Sequence, residues 1–160
     1  IKSFISVCAP LSYLHSKNYL HLDIKPGHLM LNVDTCTCFL IDYELVTKKA
    51  GIIYGISKDY ASPEHEKLLK FLRDPPKGVP QDAIASNIAI DERADIYSLG
   101  AVIFEIVTQK KWKEVKSAPR TFNALIPSNL ERIIMGTLED DRENRIATAK
   151  ELALELENIL

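Results

Sequence analysis

The stretch HLDIKPGHLMLN, residues 21–32, joins a short polar loop to a run of apolar side chains. The run 29–33 and a second one at 38–42 are rich in strand-forming residues, and four turn-type residues separate them. This pattern predicts a hairpin-like pair of strands directly after the loop. Asp23 lies in the loop and Asp42 ends the second run, so the hairpin would hold both carboxylates on one small platform.

The remainder of the chain favours helices. Apolar residues recur at helical spacing over residues 1–18, although Pro10 lacks an N–H there and predicts a kink or a split helix. Residues 94–108 are apolar around most of the helical wheel, which is typical of a helix in the middle of a core. The expected fold class is therefore mainly α with a small β-hairpin.

Polar residues mark where further helices begin. Ser128 with Glu131, and Thr148 with Glu151, match the capping box, so a helix is expected to start at each place. Prolines, glycines and the absence of a period mark less regular stretches. We predict a brief polar helix at 64–72 and loops at 43–64 and 74–90.

Length and composition limit the kind of protein. The 160 residues suffice for one ordinary domain, and the net charge of −2 favours neither a nucleic-acid partner nor an anionic membrane surface. No apolar run is long enough to span a bilayer. Cys8, Cys36 and Cys38 match neither a disulfide framework nor a zinc pattern, which favours free thiols and a cytoplasmic location.

The two carboxylates suggest a chemistry. Asp23 alone is more typical of a hydrogen-bonded loop residue, but Asp42 at the end of the neighbouring strand strengthens its signal. Two carboxylates on a rigid platform suit phosphoryl transfer, because one can accept the proton of an attacking hydroxyl while the other holds Mg²⁺ on the phosphates.

Five motifs, in the correct order, resemble those of the C-terminal lobe (C-lobe) of a protein kinase. They are HLDIKP at 21–26 for the catalytic loop, DYE at 42–44 for the metal-binding D-F-G, SPE at 62–64 for A-P-E, DIYSLG at 95–100 for D-x-W-S-x-G, and Arg145, which the family pairs with the Glu of A-P-E. The resemblance implies one partial kinase domain over 1–160, with a loop insertion at 65–90.

The resemblance also implies a role for each matched residue. Asp23 would deprotonate the acceptor hydroxyl, Lys25 would neutralise charge on the transferred phosphoryl group, and Asp42 would hold Mg²⁺ on ATP. Lys25 is typical of Ser/Thr kinases, and so is Ser57, which stands where a substrate-positioning Thr is usual. The structural roles fall to His21 as a packed core residue, Asp95 as a brace of the catalytic loop, and Glu64 with Arg145 as an ion pair.

Three residues depart from the family pattern. Leu22 replaces an Arg that grips an activation-loop phosphate, so control by phosphorylation of that loop is less expected. His28 replaces an Asn that binds metal in the family. At this position His28 would contact the metal ion and the nucleotide. Because imidazole suits softer metals, it would weaken a Mg²⁺ site or favour Mn²⁺. Glu44 replaces a flexible Gly and is expected to face water rather than metal.

The implied function is a Ser/Thr protein kinase that uses ATP and Mg²⁺ on a protein substrate. The alternative is a pseudokinase that serves as a binding or scaffold domain, because His28 and Glu44 weaken the metal chemistry. Small-molecule phosphotransferases share the H-x-D loop but generally lack the later motifs. No glycine-rich loop precedes residue 21, so an N-terminal lobe of the same chain is an expected partner, and the isolated piece is expected to be inactive.

Overall fold

The computed structural model describes residues 1–49, 51, 53, 55–75 and 90–160. Helices dominate this part of the chain, and the prediction of a mainly α fold with a small hairpin is confirmed. The α-helices are α1 (Lys2–Ser16), α2 (Pro63–Arg73), α3 (Arg93–Thr108), α4 (Trp112–Val115), α5 (Ser128–Thr137) and α6 (Ala149–Glu157). Short 3₁₀ turns cover Pro26–His28, Pro119–Thr121 and Arg142–Asn144. None of the described helices is both long and apolar enough to cross a membrane.

Helix α3 forms the centre of the core, as its apolar sequence predicts. Every residue from Ala94 to Phe104 is buried. Gly100 allows α5 to approach closely, because a Cβ at this position would lie 1.8 Å from the Thr137 hydroxyl oxygen. The buried face of α5 (Leu130, Ile133, Ile134) joins the same cluster. Because α3 is buried at the centre of the core, it is a rigid support for the residues of its first turn, which include Asp95.

Helix α1 packs against α6 and the hairpin and is a single helix through Pro10. The expectation of a split helix is therefore wrong. Pro10 is exposed, so its ring does not interrupt the packed face, and tertiary packing of that face maintains the helix despite the missing N–H. The buried residues of that face are Phe4, Val7, Cys8 and Leu11.

The predicted hairpin is present as β2 (Leu29–Asn32) and β3 (Thr37–Leu40), paired antiparallel. The side-chain oxygen of Asn32 accepts hydrogen bonds from the N–H groups of Asp34 and Thr35, at 3.0 and 3.1 Å, which closes the turn. The hairpin ends at Leu40, two residues before Asp42. Asp42 itself has φ of 62°, a left-handed conformation that re-aims the chain at the strand end.

A second strand pair was not predicted. Strand β1 (Tyr19–Leu20) pairs antiparallel with β4 (Thr47–Lys48), inside the stretch 43–64 that was predicted as irregular. Two-residue strands are too short to show a period in the sequence. The pair ties the start of the 21–26 loop to the segment after Asp42.

One of the two predicted capping boxes is absent, and the other is half formed. Helix α5 begins at Ser128 without a side-chain cap: the N–H of Glu131 donates to the Pro127 carbonyl oxygen at 3.0 Å, and the Glu131 carboxylate accepts the N–H of Arg120 at 2.8 Å. At α6 the Thr148 hydroxyl accepts the N–H of Glu151 at 3.0 Å. The Glu151 carboxylate accepts the N–H of Ala147 at 3.0 Å rather than that of Thr148, so only the hydroxyl half of this box forms.

The predicted helix at 64–72 is present as α2. Of the predicted loop at 74–90, residues 76–89 lie outside the described residues. The proposed insertion at 65–90 stays a prediction, although its first part is helical.

Candidate active site

The catalytic-loop segment is anchored by Asp95, a fully buried residue in the first turn of α3. Its carboxylate accepts the backbone N–H groups of His21 and Leu22, both at 2.8 Å, and lies 2.8 Å from His15 Nε2. Leu22 has φ of 60°, which costs free energy in a non-glycine residue. The hydrogen bond from its N–H to Asp95 helps to hold that conformation.

His15 is a contributor that the sequence did not reveal. It lies 80 positions from Asp95, and a histidine near the end of an amphipathic helix has no distinctive local signal. Because the Asp95 carboxylate already accepts two backbone donors, the third contact completes its surroundings. The buried acidic side chain is therefore surrounded by hydrogen-bonding partners, which offsets the cost of its burial.

Leu22 lies in an apolar environment where the family has an Arg. Its side chain is 3% exposed. It forms a second, smaller cluster with four other buried residues: Leu20, Leu68, Ile90 and Ala94. This cluster links the catalytic-loop segment to α2 by hydrophobic contact, where a charged residue would need an anionic partner.

Asp23 is 8% exposed and receives two side-chain donors. Lys25 Nζ lies 2.9 Å from its Oδ2, the Ser57 hydroxyl donates to Oδ1, and Lys25 Nζ also reaches Ser57 Oγ at 3.3 Å. Burial alone would raise the pKa of Asp23, but the hydrogen bonds from Ser57 and Lys25, with the Lys25 charge, hold the pKa below its ordinary value. Asp23 is therefore an ionised carboxylate at neutral pH.

His28 lies between the two carboxyl-bearing segments and is 8% exposed. Its Nδ1 is 2.8 Å from the Asp23 carbonyl oxygen, and its Nε2 is 3.1 Å from Asp42 Oδ2. A carbonyl oxygen only accepts, so Nδ1 must carry the hydrogen. Nε2 is then free to donate to Asp42 when protonated, or to offer a lone pair beside it when the ring is neutral. The structure thus brings Asp23, His28 and Asp42 together.

The fit of a divalent cation rests on Asp42 and His28. Asp42 is 39% exposed in its side chain, so an ion can reach Oδ2, and His28 Nε2 is close enough to contact the same ion. Glu44 is exposed, and only its backbone N–H contacts Asp42, at 3.3 Å to Oδ1. The described residues contain no cluster of three metal-ligating side chains. Two protein ligands suffice where phosphate oxygens supply others, as is usual for Mg²⁺, but the nitrogen ligand suits Mn²⁺ better.

His21 lies behind the loop and is fully buried. Its Nδ1 accepts the N–H of Asp23 at 3.4 Å, and its ring contacts Tyr43 with centroids 5.2 Å apart. Burial lowers the pKa of His21, more than the nearby Asp95 charge raises it. A neutral, packed ring of this kind supports the loop and cannot reach a substrate.

Glu64 and Arg145 form a bidentate ion pair, with Nη1–Oε1 at 2.8 Å and Nη2–Oε2 at 3.2 Å. The Arg145 side chain is fully buried; its guanidinium also donates to the carbonyl oxygens of Arg93 and Glu139 and lies 5.0 Å from the Tyr97 ring centre. Burial would raise the pKa of Glu64, but Arg145 keeps it below its ordinary value. The pair ties the start of α2 to the segment before α6.

The chain is similar to serine/threonine-protein kinases from several organisms. No family model matches the chain. A probable serine/threonine-protein kinase of Clostridium perfringens is 29% identical over 97% of the chain, and serine/threonine-protein kinase PknB of Mycobacterium tuberculosis is 24% identical over 98%. The resemblance to Ser/Thr protein kinases is confirmed. Serine/threonine-protein kinase Kist of Pongo abelii is also similar, at 28% identity over 88% of the chain.

The kinase resemblance covers only part of each relative. The chain spans 23% of the Clostridium perfringens protein, 25% of PknB and 36% of Kist. Its similarity is therefore to a fragment of a kinase, as the C-lobe motifs predict.

Proposed function

We propose that this chain is the C-lobe of a Ser/Thr protein kinase, which transfers the γ-phosphoryl group of ATP to a protein hydroxyl. The observation that carries the proposal is the environment of Asp23. Its carboxylate is buried, held ionised by Lys25, and already accepts a hydroxyl hydrogen from Ser57. A group that accepts one hydroxyl in this way is suited to orient a substrate hydroxyl and take its proton.

Lys25 is suited to stabilise the charge on the transferred group. Its ammonium has three donors, of which Asp23 and Ser57 engage two. The third remains for an oxygen of the phosphoryl group. Ser57, which contacts both Asp23 and Lys25, would fix their relative positions and align the acceptor residue.

Asp42 and His28 would hold the divalent cation. When bound, that cation would neutralise charge on the ATP phosphates. Asp42 offers an oxygen, and His28 is oriented by its Nδ1–H bond to the Asp23 carbonyl, so Nε2 points at the same place. A ring nitrogen in place of an amide oxygen leads us to propose that activity is higher with Mn²⁺ than with Mg²⁺.

A pseudokinase is the second candidate, and one contact favours it. His28 Nε2 lies 3.1 Å from Asp42 Oδ2, so a protonated ring would pair directly with the carboxylate that should bind the metal. Such a pair would replace the cation by a fixed positive charge. The domain would then keep its shape and serve as a binding or scaffold module.

The test follows phosphate transfer from labelled ATP to a generic basic protein, using the full-length protein, in Mg²⁺ and separately in Mn²⁺. Asp23→Asn removes the proposed base, and Asp34→Asn, in the exposed hairpin turn, is the matched control. Transfer by the wild type and by Asp34→Asn, with loss in Asp23→Asn, supports the kinase. Equal silence of the wild type and Asp23→Asn in both metals refutes it and favours the scaffold.

The wider context is proposed on the same basis. ATP, a protein substrate and an N-terminal lobe of the same chain would be the partners. Leu22, buried among apolar residues, favours an active-site loop that needs no phosphate-gripping Arg. The three cysteines are free thiols, which agrees with a reducing compartment such as the cytoplasm.

A further inference from the structure

A groove lies beside Ser57, and neither Asp23 nor Asp42 lines it. We name it the basic groove; it has a volume of about 310 Å³ and is lined by Ile56, Lys58, Glu66, Leu69, Lys70, Arg73 and Asp74. Ile56 and Lys58 are the chain neighbours of Ser57. Because consecutive Cα atoms are about 3.8 Å apart, the groove starts within one residue of the side chain that contacts Asp23.

The charges of the basic groove do not balance. Three cations line it, and of its two anions Glu66 is already paired with Lys113. Counting that lysine, four cations face two anions, a surplus of two. The C-terminal end of α2 carries about half a negative charge from its peptide dipoles, which lowers the surplus without removing it. In the described part of the chain no side-chain ion pair engages Lys58, Lys70 or Arg73.

The shape of the basic groove suits an extended peptide. The charged side chains of its rim are exposed, while Leu69, 6% exposed, and the half-buried Ile56 provide an apolar floor. An extended chain advances about 3.3 Å per residue, so a peptide whose hydroxyl lies at Asp23 would reach the groove one to three residues away. The apolar floor can contact the aliphatic part of a side chain whose carboxylate meets the rim.

We propose that the basic groove selects substrates that carry an acidic side chain one to three residues from the acceptor Ser or Thr. This rests on the proposed kinase function for the identity of the bound peptide. Lys70 and Arg73, one helical turn apart near the end of α2, are the specificity-determining residues. Their exposed side chains leave the carboxylate partly hydrated, so each contributes modestly to binding and both are needed for strong preference.

The test measures binding, so it does not depend on catalysis. Fluorescence anisotropy of the full-length protein would follow three labelled ten-residue peptides with one central Ser. One has Glu at the three following positions, one has Glu at the three preceding positions, and one has Gln throughout. We expect one acidic peptide to bind more tightly than the Gln peptide, and Lys70→Gln/Arg73→Gln to weaken it roughly tenfold.

Two further variants make the result specific. Lys67→Gln changes an exposed lysine of the same helix outside the groove and should leave binding unchanged. Lys70→Glu/Arg73→Glu should reverse the preference, so that a peptide with Lys in place of Glu binds more tightly than the acidic one. A gain of affinity for the Lys-containing peptide cannot come from unfolding of the variant. Acidic-peptide binding that is the same in the wild type, in Lys67→Gln and in both double variants overturns the proposal.

The result of the peptide-binding test can be distinguished from the result of the phosphate-transfer test. Asp23→Asn should keep the ratio of the acidic-peptide affinity to the Gln-peptide affinity, because all the peptides share the central Ser that Asp23 would contact and Asp23 is outside the groove. Binding that depends on Lys70 and Arg73, in a protein that transfers no phosphate, would support the groove and refute the kinase. Phosphate transfer without any acidic preference would support the kinase and refute the groove.

Discussion

Replacing Arg145 by Met should destabilise the fold strongly, since this residue joins three segments. The substitution removes the bidentate contact with Glu64 and the donors to the Arg93 and Glu139 carbonyl oxygens. Removing one partner of a buried ion pair typically costs about 3–5 kcal/mol. Glu64 is 13% exposed in its side chain and keeps some hydration, so we take the lower end, about 3 kcal/mol.

The assay is urea denaturation followed by circular dichroism, with thermal melting as a second measure. For a domain of this size about 3 kcal/mol corresponds to a fall of roughly 6–12 °C in melting temperature. Arg132→Met is the matched control, because Arg132 is 65% exposed and pairs with Glu155 at the surface. That variant should change the free energy of unfolding by less than about 1 kcal/mol.

A double variant tests the physical reason for the loss. If the cost of Arg145→Met comes from leaving the Glu64 carboxylate buried and unpaired, Glu64→Gln in the same chain should recover part of it. The double variant should then be more stable than the sum of the two single changes predicts. Strict additivity, or a loss below about 1 kcal/mol for Arg145→Met, would refute the interpretation of this contact as a buried pair.

Three further outcomes are expected. Gly100→Ala should destabilise by about 1–3 kcal/mol in urea denaturation, because the new methyl group overlaps the Thr137 side chain; Thr137→Ala should partly rescue it, and no loss would contradict the close helix approach. Leu22→Ala should cost about 2–4 kcal/mol, whereas Leu31→Ala, 51% exposed, should cost much less; equal effects would show that the second cluster is unimportant. The pKa of Glu64 is lowered on folding, so its contribution is complete above the ordinary value of 4.5 and is lost as the pH falls through the folded pKa. Wild-type stability measured from pH 6 to pH 3 should therefore fall more steeply than that of Glu64→Gln, and parallel curves would contradict this.

Much of the site could be predicted from the sequence because the motifs are local. The resemblance places Lys25 beside Asp23, and Lys25 Nζ lies 2.9 Å from Asp23 Oδ2. Asp42 was expected near them because it ends the hairpin. The structure adds the contact of His28 Nδ1 with the Asp23 carbonyl oxygen, at 2.8 Å.

Other parts of the site could not be predicted because they join distant segments. His15 meets Asp95 across 80 positions, and neither residue type requires the other as partner. The capping box at Ser128 fails because the Glu131 N–H donates to the Pro127 carbonyl oxygen and the Glu131 carboxylate accepts the Arg120 N–H, a partner that is available only once the chain has folded. The β1–β4 pair is likewise made of two-residue strands whose pairing depends on the surrounding loops.

The sequence by itself determined the positions of the five longer α-helices, the hairpin and the order of the kinase-like motifs. Helical periodicity, strand propensity and turn chemistry act over a few residues, so they can be read before folding. Only the tertiary structure decided that Leu22 is a core residue, that His28 reaches Asp42, and that Lys58, Lys70 and Arg73 line one groove. These contacts depend on how separate segments pack, because burial and surplus charge are properties of a surface assembled from distant parts of the chain.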